Sequence, residues 1–210
     1  MAGQINRGSS AGEAIYTLSS DKNNMVFVET GTWNGQGSTK CFMDALFQRN
    51  DDSVLYSIES HKDFYDKARQ YWDPITAMYK IEKLKLVLGR IIEPSEVMTL
   101  EDIEKSEVQL DHPDWKDWLI NDMKQYNLAD CKNICDDLPE KIDVLLLDGG
   151  EFSSYAEYLR LKDRTKIILL DDSNVLKNYK VKKELLSSDK WLLLLDYSHE
   201  RNGFIGFQRI

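Results

Sequence analysis

Short apolar runs alternate with amphipathic stretches along most of this chain, and that alternation is the tightest constraint on its fold. The runs are residues 25–28, 54–58, 84–88, 142–147 and 167–170. Each is too short for a helix and mostly apolar, which predicts a strand buried on both faces. Strands of this kind separated by helical segments predict an α/β architecture, a mostly parallel sheet with helices on both sides. Two further runs, 191–195 and 204–207, flank the polar stretch 196–203 and predict an antiparallel hairpin at the C-terminal end, making seven strands.

Helical segments are expected at 36–48, at 61–71 and at 95–105, the last opened by Pro94 in its first turn. Another follows Pro113, with Trp115, Trp118, Leu119, Met123 and Tyr126 on one face. The stretch 91–141 is long for a simple crossover and predicts a crossover helix plus a cap inserted over the strand ends. Residues 1–24 read as a lead-in and helix, the first eight or so standing outside the fold, and residues 25–210 as one domain.

Composition excludes several function classes. No run of about 18 apolar residues exists, so no membrane span is expected. The first residues lack the apolar stretch of a secretory signal. Cys41, Cys131 and Cys135 are odd in number and form no CxxC pair, which predicts reduced thiols and a cytoplasmic location. His61, His112 and His199 are too scattered for a zinc site. A net charge of −9 argues against nucleic acid as partner. Lys177, Lys180, Lys182 and Lys183 form a basic cluster that reads as the solvated face of a helix. The oligomeric state is left open.

The first strand runs into Glu29-Thr30-Gly31-Thr32-Trp33-Asn34-Gly35-Gln36-Gly37-Ser38-Thr39. Glycines permit a sharp turn and close backbone approach to a ligand, and a helix start directs free N–H groups to the same place. An acid two residues before the first glycine suits a cationic ligand head better than a pyrophosphate, which places a nicotinamide dinucleotide second. S-adenosylmethionine carries an ammonium and a sulfonium and no phosphate. Glu59 closes the second strand, 22 residues after Gly37, where an acid accepts hydrogen bonds from ribose hydroxyls. The loop resembles motif I of the class I, Rossmann-like, methyltransferases. The cofactor set expected on this reading is Glu29, Gly31, Thr32, Gly35, Ser38, Glu59 and Asp148, and the resemblance adds Gly89 and Arg90 beside the adenine ring.

The fourth strand ends in Asp148-Gly149-Gly150-Glu151 and the fifth in Asp171-Asp172-Ser173-Asn174. Neighbouring parallel strands would bring Asp148, Asp171 and Asp172 together. Three unpaired carboxylates repel one another, and a hard divalent cation, Mg²⁺ or Mn²⁺, resolves the repulsion. The competing reading is that Asp171, Asp172 or Ser173 caps the following helix. The pattern resembles two metal-dependent groups, the catechol-type O-methyltransferases and the macrocin- and novobiocin-pathway sugar O-methyltransferases. Asp148-Gly149 and Asp171-Asp172 match the sugar group better. That group carries a second acid, its general base, where this chain has Gly150. Glu151, one residue on, is the expected base, with a helix-terminal charge as its alternative. His61 and His199 are the other candidate bases.

The resemblance implies transfer of a methyl group from S-adenosylmethionine to a sugar or glycan hydroxyl, with a deoxyhexose such as rhamnose as one acceptor. Trp33, Trp115, Trp118 and Tyr126 are the aromatic residues expected either to stack on a sugar or to pack the cap. A catechol-type enzyme acting on a small aromatic diol and a non-catalytic cofactor-binding domain of a glycan-building protein are the alternatives.

Overall fold

The computed structural model describes residues 5–108, 110 and 112–210. The first four residues of the expected lead-in lie outside them, and Ile5, expected outside the fold, is instead buried in the core and lines a cavity at the strand ends. Helix α1 spans Ser10–Ser20, and its N-cap Ser9 accepts the Gly12 N–H at 3.1 Å. The strands are β1 (Val26–Thr30), β2 (Val54–Glu59), β3 (Leu84–Leu88), β4 (Ile142–Leu147), β5 (Thr165–Asp171), β6 (Trp191–Tyr197) and β7 (Phe204–Arg209). They form one seven-stranded sheet in the order β3-β2-β1-β4-β5-β7-β6. The first five are parallel, and β7 runs antiparallel between β5 and β6, closing the expected hairpin.

The apolar runs are explained by burial on both faces. Alternate residues of the central strands join opposite cores. Val28, Leu145 and Ile168 pack on one side of the sheet, and Phe27, Val144, Leu146 and Leu169 on the other. At roughly 25 cal/mol per Å² of apolar surface, burial of these side chains is the main stabilisation of the sheet. Chain order reverses between β1 and β4, because β2 and β3 lie on one side of β1 and β4 on the other. The crevice at the carboxyl ends of strands beside such a switch is where open α/β sheets bind ligands.

The remaining helices are α2 (Ser38–Leu46), α3 (Lys62–Tyr79), α4 (Leu100–Glu104), α5 (Trp115–Tyr126), α6 (Ser154–Leu161) and α7 (Leu176–Leu186). Two expectations need correction. Helix α3 runs eight residues beyond 71, through Pro74, and ends where Lys80 takes φ 49°. Trp72, buried on this helix, donates its indole N–H to the Gly35 carbonyl at 2.7 Å and ties that turn to the glycine loop. The helix expected over 95–105 is two pieces. Pro94–Glu96 forms a 3-10 turn, and a capping box between Thr99 and Asp102 starts α4 afresh. None of the described helices is long and apolar enough to cross a membrane. Cys41, Cys131 and Cys135 are buried free thiols.

Candidate active site

A cavity of about 670 Å³ opens at the carboxyl ends of β1, β2, β3, β4 and β5. The turn after β1 forms one wall. Gly31 takes φ +89°, and a Cβ there would stand 2.2 Å from the Asp148 carbonyl oxygen. Only glycine lets β1 and β4 approach so closely while the chain turns left-handed. Trp33 follows at φ 50°, half exposed, its ring edge-on to Phe64 at 6.3 Å. Both rings line the cavity.

Glu29 is fully buried beneath this turn. It accepts hydrogen bonds from Ser38 Oγ at 2.7 Å and Ser57 Oγ at 2.6 Å. Burial pushes its carboxyl up to about 7, against the lowering effect of those hydroxyls. Glu29 and Gly35 were expected to touch the cofactor, but neither lines the cavity. Both stand behind it, Glu29 clamping the start of α2 to β2 and Gly35 seating Trp72. Gly31, Thr32, Ser38, Glu59, Gly89, Arg90 and Asp148 do line it.

Glu59 is buried, and its two oxygens accept the N–H groups of Trp33 at 2.7 Å and His61 at 2.8 Å. Burial raises it to about 6 despite those donors. Arg90 is bound by the protein itself. Its guanidinium donates to the Cys131 carbonyl and, at 3.0 Å, to Glu93. From the segment between β3 and β4, Tyr126 reaches the cavity wall, and Asp122 holds His61 Nε2 at 3.0 Å. A Cβ at Gly150 would lie 3.3 Å from Asp122 Oδ2, so a carboxylate from α5 stands beside the position where the sugar group carries its second acid. Trp118 faces outward and stacks on His112 at 4.3 Å, and Trp115 packs against the core. Of the four aromatic residues expected near a sugar, Trp33 and Tyr126 line the cavity. His199 is exposed and does not.

Asp148, Asp171 and Asp172 converge as the strand ends required. One oxygen from each lies within 4.8 Å of the others, and all three residues line the cavity. Asp172 takes φ 54°, in the left-handed region that Asp enters more readily than most non-glycine residues. The cluster also contains a residue that the sequence reading placed on a solvated helix face. Lys177, in the first turn of α7, is buried, with Nζ 2.5 Å from Asp148 Oδ1 and 3.3 Å from Asp172 Oδ2. Burial alone would lower its pKa, but Asp148, Asp172 and Asp171 together outweigh burial and hold the ammonium well above the usual lysine range. Arg201, on the β6–β7 loop, places Nη2 3.2 Å from Asp171 Oδ2. Asn202 donates to Asp172 Oδ1 at 3.1 Å. Four of the six carboxylate oxygens are therefore held by Lys177, Arg201 and Asn202.

Carboxylates are the right kind of donor for Mg²⁺ or Mn²⁺. The three acids lie close enough to share an ion, but a buried ammonium already holds two of them and Arg201 holds the third, so their charge pairing does not fit an added one. Glu151 does not line the cavity. Its Oε1 accepts the Lys177 backbone N–H at 3.1 Å, the helix-terminal alternative to a base. Glu157 does line it, deeply buried, with Ser153 Oγ at 2.9 Å on one oxygen and no hydrogen bond on the other. Sequence reasoning passed over Lys177, Arg201, Asn202 and Glu157. The exposed and the buried lysines of α7 carry no distinguishing local signal, although the placement of Lys177 five residues after Asp172 puts it in the first turn of the helix that the acids precede.

The fold is that of the class I S-adenosylmethionine-dependent methyltransferases. Among solved structures similar to this chain is an O-methyltransferase from Bacillus cereus in complex with SAH, at 13% identity and a TM-score of 0.62, covering 100% of this chain and 84% of that one. A methyltransferase from Geobacter sulfurreducens matches at 13% identity and 0.61, over 96% and 79%. The O-methyltransferase TomG from Streptomyces achromogenes, in complex with SAM and involved in tomaymycin synthesis, matches at 14% and 0.56, over 94% and 78%. No family model matches the sequence, and no curated protein does.

Proposed function

We propose that this chain is an S-adenosylmethionine-dependent O-methyltransferase acting on a hydroxyl of a sugar or glycan. The observation that carries the reading is one cavity joining a glycine turn and Glu59 to a cluster of Asp148, Asp171, Asp172 and Arg201. Its volume is in the range of small-molecule sites. Its acids suit a cationic cofactor rather than a pyrophosphate.

When bound, S-adenosylmethionine supplies a methyl group on a sulfonium, an electrophile open to in-line attack by a hydroxyl oxygen. Glu59 holds the ribose hydroxyls and is itself oriented by the Trp33 and His61 N–H groups. Ser38, Thr32 and Gly31 shape the wall beside it. Asp148 Oδ2 and Asp171 Oδ1 have no hydrogen-bond donor among the described residues and are free to accept from the acceptor hydroxyl. Asp148 then takes the hydroxyl proton as the C–O bond forms. Positioning supplies most of the acceleration, since the methyl donor is already activated. Glu151 holds the first turn of α7, and through it Lys177, rather than acting as the base. The Mg²⁺ or Mn²⁺ of the metal-dependent relatives would compete with Lys177 for the same acids, and no step here is routed through it.

A cavity with Trp33, Phe64 and Tyr126 in its wall, and with Asp148, Asp171 and Asp172 also lining it, suits a hydroxylated ring. A small aromatic diol is the second reading, because the rings of Trp33, Phe64 and Tyr126 in the cavity wall would also cover a flat acceptor. The test is formation of S-adenosylhomocysteine with a panel of glycosides and a panel of catechols. Turnover of glycosides is expected. Turnover of catechols alone would overturn the sugar reading, and tight cofactor binding with no turnover on either panel would overturn the enzyme reading. The buried thiols and the absence of a membrane-crossing helix among the described residues are compatible with a cytoplasmic enzyme working as a soluble catalyst.

A further inference from the structure

We propose that Lys177 is the resident cation of this site, standing where the metal-dependent O-methyltransferases use a divalent ion, so that the acceptor is oriented with no metal. The proposal rests on the O-methyltransferase reading for its catalytic consequence, but its geometric core does not.

Three observations carry it. First, the first turn of α7 staples the ends of β4 and β5 together through side chains alone. Asn178 Nδ2 donates to the Leu147 carbonyl at 2.9 Å and to the Asp171 carbonyl at 2.7 Å. Lys177, the residue before it, bridges Asp148 and Asp172 from the same turn. A divalent ion bridging these acids would do the same work, joining the two strand ends by charge. Second, Lys177 is fixed at both ends. Its backbone N–H is held by Glu151 Oε1 and its ammonium by Asp148 Oδ1, two acids three residues apart on the β4–α6 connection. The side chain is 7% exposed and does not line the cavity, so the ammonium neutralises the acids from behind while they face the ligand space. Third, both oxygens of Asp172 are already engaged, by Lys177 and by Asn202. An ion placed among the three acids would meet a like charge a few ångströms away in a poorly solvated site, where repulsion is strong.

The charges follow a simple logic. Three carboxylates against Lys177 and Arg201 leave one formal negative charge on a cluster whose three acids all line the cavity. That residual charge accepts the hydroxyl hydrogen bond and attracts a sulfonium. Adding a divalent ion to the same set would reverse the sign of that charge. In the transfer itself, the hydroxyl oxygen forms a bond to the methyl carbon, the carbon–sulfur bond breaks with its electron pair going to sulfur, and the hydroxyl proton passes to Asp148. Lys177 is a positioning residue in this scheme, acting through Asp148 and Asp172.

The deciding measurement is Mn²⁺ binding by the full chain, read from loss of the free-ion resonance signal in a MnCl₂ titration, with no acceptor needed. The wild type is expected to show no site that depends on Asp148 and Asp172. Lys177→Ala is expected to gain one, at least about tenfold tighter than any wild-type binding, because one like charge has been removed from within ~4 Å. Asp148→Asn added to Lys177→Ala should abolish it. A stoichiometric wild-type Mn²⁺ site lost in Asp148→Asn would overturn the proposal, as would a folded Lys177→Ala with no gain. Lys177→Met gives a second, near-isosteric variant. Should both variants fail to fold, the wild-type titration still decides. On any acceptor that turns over, wild-type rate should be unchanged by EDTA within about twofold, and a chelator-sensitive rate restored by Mn²⁺ would sink the idea. Failure of the O-methyltransferase reading would appear separately, as no turnover while the binding results stand.

Discussion

The two halves of the cavity are built differently. On the β1–β3 side, buried acids are held by neutral donors. Glu29 has two serine hydroxyls and Glu59 two backbone N–H groups, and burial raises both carboxyls, to about 7 and about 6. On the β4–β5 side, acids are held by full positive charges from Lys177 and Arg201. In the first half only Glu59 of these two faces the cavity, with neutral backbone donors on it and no built-in cation, so its carboxylate is left to a cationic cofactor. The second has most of its charge already balanced. Neutral donors prepare a site for a cation that arrives, whereas built-in cations replace one.

Removing a built-in cation should produce the largest effect. Lys177→Met strands buried carboxylates, and the expected loss is about 3–5 kcal/mol in urea unfolding. Lys183, on the same helix but solvent-exposed and paired with Glu107, should show no measurable change in midpoint as Lys183→Ala. Equal effects for the two lysines would erase the distinction between the halves.

Next in size is Gly31→Ala, which combines an unfavourable φ with a Cβ 2.2 Å from the Asp148 carbonyl oxygen. Roughly 3 kcal/mol of destabilisation is expected, together with loss of cofactor binding in calorimetry. A stable variant with intact affinity would show that the turn tolerates a side chain.

Glu29 tests the neutral-donor half through pH. A carboxyl raised in the folded state is favoured there in its protonated form. Its contribution is fully present below about 4.5 and lost as pH rises through about 7. Glu29→Gln has no proton to lose. Its stability relative to wild type should therefore increase from pH 4.5 to above 7, by about 3 kcal/mol at roughly 1.4 kcal/mol per pH unit. A pH-independent difference between the two proteins, without cofactor, would mean that Glu29 is ionised throughout.

The smallest expected effect belongs to the ribose contact. Glu59→Gln keeps the shape and removes the charge, and cofactor affinity should fall on the order of tenfold, about 1.4 kcal/mol. Unchanged affinity would remove Glu59 from the cofactor side of the comparison.

What the sequence determined by itself is the sheet and the address of the cavity. Apolar runs such as 142–147 must be covered on both faces, glycines at 31 and 35 must turn the chain, and acids directly after strands must emerge at carboxyl ends. These follow from local backbone preference and from hydrophobic burial, which act over a few residues. The convergence of Asp148 with Asp171 and Asp172 was legible for the same reason, because parallel neighbours end side by side. The partners of those acids were decided only by the tertiary structure. Lys177 and Lys183 look alike in sequence, and one is buried against two carboxylates while the other faces solvent, because a helix has a buried face that is set by what it packs on. Glu151 and Glu29 stand outside the cavity lining on similar grounds, since which oxygen meets which donor depends on how α7 and α2 dock on the sheet. Electrostatic pairing is a property of assembled neighbours, and the partners of the three clustered acids lie up to 30 residues from them along the chain.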